Sequence, residues 1–175
     1  MRKISLFTTM IVLSLLTFVT SANAVGYENK TVPQITDHSP VNTTAMLSSI
    51  EQREGHLYIQ ADKIEWYEGA AADKKFLERE QDIGDMTGAP DGYYIVNDDI
   101  QYQTYEIDPD AQVLMQLYDH DGTYEGMNIQ WNEPVTLEKY KAIMDNDTLM
   151  DMKTFPYHLT LKDGKVVKIV QQYIP

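Results

Sequence analysis

Tyr157-His158-Leu159-Thr160-Leu161-Lys162-Asp163-Gly164-Lys165-Val166-Val167-Lys168-Ile169-Val170 is the stretch from which the fold of this chain is read. Apolar and polar residues alternate on both sides of Asp163-Gly164, which is the period of a half-buried strand. Asp-Gly is turn chemistry, so Phe155 to Ile174 reads as a β-hairpin. Loop length sets its register. A two-residue loop puts Leu159 opposite Lys168 and His158 opposite Ile169, mixing polar with apolar partners. A three-residue loop, with Gly164 as a left-handed bulge residue, pairs Leu159 with Val167, Tyr157 with Ile169 and His158 with Lys168, and so separates a core face from a wetter face. The three-residue register is therefore expected, marked by hydrogen bonding of Leu161 rather than Lys162 to Lys165.

Upstream, Thr136 is placed to cap a helix from Leu137 to about Met144, with Leu137, Tyr140, Ile143 and Met144 on one stripe. Three β-type runs precede it, Tyr93 to Val96, Gln101 to Ile107 and Gln112 to Tyr118. Asn97-Asp98-Asp99 and Asp108-Pro109-Asp110 separate them, and such short connections imply successive antiparallel hairpins. A further strand is expected at Met127 to Trp131. His56 to Tyr67 alternates as one bent strand or two short ones, and Ala70 to Gln81 has helical composition, with Phe76, Leu77 and Glu80 at helical spacing. Gly84 to Gly92 is rich in turn residues. The expected class is α+β, mainly antiparallel β, with two helices.

At the other end, Arg2 and Lys3, the apolar run from Ile4 to Val19 and Ala22-Asn23-Ala24 form the three parts of a cleavable secretory signal, residues 1–24. The apolar run is shorter than the roughly 20 residues a membrane span needs, so no membrane insertion is expected after cleavage. Val25 to Gln52 is polar and without a sustained period, and reads as a flexible linker, with a short helix within Thr44 to Arg53 as the alternative. The globular β-rich domain is then 53–175. Cleavage leaves 12 basic against 27 acidic residues, a net charge of −15 (12 − 27). Such a field repels nucleic acid and anionic membrane surfaces. There is no Cys, so a secreted domain of this kind relies on its core or on a bound ion rather than on disulfides.

Ile64-Glu65-Trp66-Tyr67-Glu68-Gly69, Gly92-Tyr93-Tyr94-Ile95-Val96-Asn97-Asp98 and the run from Tyr157 through Tyr173-Ile174-Pro175 resemble a group of small secreted proteins and lipoproteins of Firmicutes that have no assigned activity. The resemblance spans roughly Gly55 to Pro175. Its motifs are strand and turn patterns, so it implies a shared fold, by analogy a small curved sheet or OB-like barrel, and brings no catalytic residue with it.

Nothing in the sequence carries a strong chemical signature. Nucleophilic catalysis has neither a Cys nor a Gly-x-Ser-x-Gly elbow, and His38, His56, His120 and His158 form no zinc-type pair. Asp119, Asp121 and Glu125 around Gly122 are candidate calcium ligands. They depart from an EF-hand loop, however, which wants its Gly at the sixth position and an Asp or Asn where Thr123 stands, and a plain turn of solvated carboxylates competes. Glu65 and Glu68, beside Trp66 and Tyr67, are the first place to look for a glycosidase pair. The 12 tyrosines are the more unusual feature. Tyr93, Tyr94, Tyr102, Tyr105 and Tyr118, with Tyr124 nearby, are candidate binding residues, since Tyr joins a rigid apolar ring to a polar tip. Strands also favour aromatics for packing alone. The expectation is a secreted, non-enzymatic extracellular module whose partner is a protein or glycan. A small hydrolase of cell-wall or other glycans and a calcium-stabilised structural protein are its rivals.

Overall fold

The computed structural model describes residues 39–175; the expected signal peptide, His38 and the first part of the expected linker lie outside them. The hairpin forms from β6 (Pro156–Lys162) and β7 (Lys165–Gln171), but in neither of the two registers weighed above. Its turn has two residues, Asp163 and Gly164, both at positive φ (52° and 81°). That is the primed-turn geometry whose twist matches paired strands. Lys162 accordingly faces Lys165. The register then shifts past Val167, so that Leu159 faces Ile169 and Thr160 faces Lys168. The bulge therefore restores apolar pairing without lengthening the loop.

The linker assignment fails from residue 41 onward. Val41–Arg53 is a strand, β1, joined to β2 (His56–Glu68) through a second two-residue turn, Glu54-Gly55, again with both φ positive. Ala45, Leu47 and Ile50 of β1 are buried. A bulge between Leu47 and Ser49 moves the inward phase by one residue, and this is what hides the period of two. The domain thus begins before Arg53, and no helix forms within Thr44 to Arg53.

After β2 the chain makes α1 (Gly69–Arg79), which buries Ala72 and Phe76, and then β3 (Tyr93–Val96). β3 pairs with Glu65 to Glu68 of β2, not with the strand that follows it. That next strand, β4 (Tyr102–Met115), runs through Asp108-Pro109-Asp110 without turning back. The expected hairpin there is instead an irregularity, at which the register against β7 jumps between Ile107 and Gln112. Pro109, which has no N–H to donate, occupies the interruption. Met127 to Trp131 is not a strand either; the ladder on β4 is taken by β5 (Glu133–Val135).

β1, β2, β4, β7 and β6 close on themselves: β1 pairs with β2 and β6, β6 with β7, β7 with β4, and β4 with β2. Only the β4–β7 contact in this ring is parallel. The result is a five-stranded mixed barrel with two extra strands, so of the curved sheet and the small barrel expected it is the barrel that forms. Ile59, Ile107, Val113, Leu159, Val166 and Ile169 fill it. α2 (Leu137–Asp145) supplies Tyr140, Ile143 and Met144 to the same core, and its first turn is capped as expected, Lys139 N donating to Thr136 Oγ1 at 3.1 Å. Among the described residues no helix is long and apolar enough to cross a membrane.

Candidate functional site

Strand alternation decides what the barrel wall shows to the outside. Ala45, Tyr157 and Leu159 point into the core, so Thr44 and His158 point out. The registers place Ile64 of β2, Thr44 of β1, His158 of β6 and Val170 of β7 in one row across the wall. Asn42, Thr160 and Lys168 form a second row across β1, β6 and β7. With Thr43 and Leu159 these residues line an open groove of about 490 Å³. His158 is fixed on both sides, Nδ1 lying 2.9 Å from Thr44 Oγ1 and Nε2 2.9 Å from Gln172 Oε1. Thr160 Oγ1 donates to Asn42 Oδ1 at 2.8 Å.

Trp66 stands edge-on to His158, with ring centroids 6.2 Å apart, and stacks on Tyr93 at 4.9 Å. Its indole Nε1 is buried without a hydrogen-bond partner. Beyond Thr43 and Ile64 lies a second hollow, whose walls include Glu65, Asn97, Asp98 and Asp99. Asp62 holds this side together from beneath: it is 2% exposed and accepts from Asn97 Nδ2 and Gln101 N, each at 2.7 Å.

The tyrosines named from the sequence do not form one face. Tyr93 and Tyr94 are strand neighbours and point oppositely, Tyr93 onto Trp66 and Tyr94 onto Phe76 of α1. Tyr102 is 56% exposed, whereas Tyr105 packs against the core. Tyr124 is exposed in the loop after β4. Of the six, only Tyr93 adjoins the groove, through Trp66. Glu65 accepts from Tyr67 OH at 2.5 Å on the side of β2 opposite Trp66, so Glu65 and Glu68 make no convergent pair around the indole.

Tyr118 belongs to a separate cluster. Its ring stacks on His120 at 3.9 Å, and its hydroxyl donates to Glu133 Oε1 at 2.7 Å. His120 Nδ1 lies 2.7 Å from the Gly126 carbonyl and Nε2 2.9 Å from Glu133 Oε2. A carbonyl and a carboxylate only accept, so these two contacts favour the doubly protonated ring, in which both nitrogens donate. Burial lowers the His120 pKa, but hydrogen bonds to Glu133 and Gly126 outweigh it and leave the ring above its ordinary 6.5. Burial acts to raise Glu133, but His120 and Tyr118 hold it below 4.5. With both nitrogens engaged, the ring braces the 119–132 loop and has no free position from which to take a proton from water.

The sign of the resulting pH dependence follows from those two directions. Glu133 contributes stability above its unfolded pKa and loses it as pH falls through its depressed folded value. His120 contributes below its unfolded pKa and loses it as pH rises through its raised folded value. The pair therefore stabilises most between about pH 4.5 and 6.5. Thermal melts of the wild type and His120→Gln should be furthest apart in that window and converge as pH rises towards 9. A constant gap would show that the ring acts by packing alone.

The candidate calcium ligands are turned into the backbone of their own loop. Asp119 Oδ1 accepts from Asp121 N and Gly122 N at 3.1 and 2.6 Å, and Asp121 Oδ1 accepts from Thr123 N and Oγ1 at 3.0 and 2.7 Å. A Cβ at Gly126 would land on the Asp121 carboxylate and push it off its bonds to Thr123. Glu125 is exposed, and no three acidic or histidine side chains converge as a metal site among the described residues.

Sequence reasoning missed Asn42, Thr44, Thr160 and Lys168, because the groove exists only once β1, β6 and β7 lie side by side. No family model, curated protein or solved structure matches the chain.

Proposed function

We propose that this chain is an exported, non-enzymatic extracellular binding module that takes its ligand in the outer-wall groove of the barrel. The observation that carries this reading is the groove itself: side chains from four strands, distant in sequence, form a recess of about 490 Å³ beside the Trp66–Tyr93 stack. Its polar groups are amide, hydroxyl, imidazole and ammonium, which orient a ligand, set around the apolar Ile64 and Val170. His158 is locked between Thr44 and Gln172 with no carboxylate on either nitrogen, so it lacks the partner that would drive it as a base. Export rests on the signal-like residues 1–24.

The test is a titration of the isotopically labelled protein with a soluble digest of bacterial cell wall, followed by amide NMR, alongside a turnover assay on the same digest. Shifts concentrated at Thr44, His158, Thr160 and Lys168 with no product formed are expected. Product formation would move the protein to the hydrolase class. Shifts confined to another part of the barrel would move the site.

A further inference from the structure

We infer, building on that reading of the groove, that its ligand is an acidic glycan, with a sugar carboxylate held on Lys168. The chain carries a formal charge of −13, and its cations are for the most part occupied by its own carboxylates. Arg53 pairs with Glu51, Arg79 with Asp98, Lys141 with Asp145, Lys153 with Asp151 and Lys165 with Glu106. Lys168 makes no ion pair among the described residues, and no acidic residue lines the groove it enters. Lys63, Lys139 and Lys162 also lack an ion pair there, but Lys162 lies among Asp108, Asp110 and Asp163, Lys63 lies with Asp62 and Asp99 and over the Tyr105 ring, and Lys139 sits over the Tyr118 ring, whose hydroxyl is bonded to Glu133. Lys168 thus enters a groove lined by no carboxylate, and an incoming carboxylate meets local attraction there that the net negative charge of the rest of the chain opposes only at longer range.

The rest of the groove suits a sugar better than a peptide. β6 lies between β1 and β7, and β7 between β6 and β4, so the backbone of the groove floor is paired on both edges in these two strands, while Val41 to Thr43 of β1 pair with β6 alone. A peptide adding as a strand finds no free N–H or C=O on β6 or β7 there. Recognition falls to side chains. With the Thr160 hydroxyl proton given to Asn42 Oδ1, the Thr160 oxygen still accepts, and the Asn42 amide nitrogen still donates, to ring hydroxyls that do both. The row Asn42, Thr160, Lys168 therefore offers donor, acceptor and cation in sequence along one line of the wall.

Calorimetry with oligogalacturonate and with its fully methyl-esterified form separates charge from shape, because the two differ only at the carboxylates. The acid form is expected to bind at least about tenfold more tightly than the ester, and Lys168→Glu to lose about the same factor. Lys168→Arg should restore binding, and Lys162→Glu should leave it unchanged. Equal binding of acid and ester, or an unaltered affinity in Lys168→Glu, overturns the carboxylate assignment and leaves the groove standing as a neutral-ligand site. Failure of both forms to bind also overturns it. The cell-wall titration then reports independently whether the groove binds anything.

Discussion

Replacing Gln171 by leucine should lower stability by about 3–5 kcal/mol, on the cost of leaving two buried N–H groups unpaired. Gln171 closes β7 at 1% exposure, and its Oε1 accepts from both Gln116 N at 2.8 Å and Leu117 N at 2.9 Å. Those two amides lie just past the last β4–β7 ladder pair, Leu114 with Val170. The glutamine side chain thus supplies the carbonyl that the strand no longer offers. Gln116 repeats the device one layer out, its side chain accepting from Asn132 N and donating to Asn132 Oδ1. Leucine fills the volume but accepts nothing. A melting temperature lower by roughly 10–15 °C would follow for a domain of this size. A change of only a degree or two would mean that the two amides find other acceptors.

Asp62→Ala should cost about 2–4 kcal/mol, because it removes two charge-assisted hydrogen bonds from a buried site. Its local effect matters as much as its size. Asn97 and Gln101 bracket the connection from β3 to β4, and Asp62 is what ties both to the middle of β2. Hydrogen exchange should accelerate across residues 93–101 while the β6–β7 hairpin keeps its protection. Uniform acceleration would show that Asp62 supports the whole barrel instead. Since Asp62 underlies the hollow that continues from the groove, Asp62→Ala also separates the β3 side of the site from the Lys168 side.

The legible parts of this fold were those with a local physical cause. Thr136 announces α2 because its side chain caps a single turn, and β2 and β3 announce themselves by alternation and bounding turn residues. The features that were not legible share another cause, since each is a break in period whose compensation lies on a distant strand. β1 slips phase at Ser48, and only its pairing with β2 shows why. The bulge at Val167 corrects a register that the Asp163-Gly164 turn alone would leave mismatched. Asp108-Pro109-Asp110 has the composition of a turn, yet β4 continues through it because β2 holds the residues before and β7 holds residues on both sides. The candidate site suffered most from this. Its residues come from 42–44, 64, 158–160 and 168–170; the hairpin window holds the last two sets, but no window holds β1 or β2 beside them. The tyrosines were the visible alternative, and strand alternation disperses them.

The pairing of β1 with β6 sets a timetable for the chain. Thr44 meets His158 across 114 positions, and the ring closes only when β7 slides in beside β4. Contacts so remote carry a large loop-closure cost before they return anything, so barrels wired in this way assemble late and slowly. For a protein proposed to be exported, that delay is an advantage if the chain must stay open in transit, because the barrel closes only when β7 is in place.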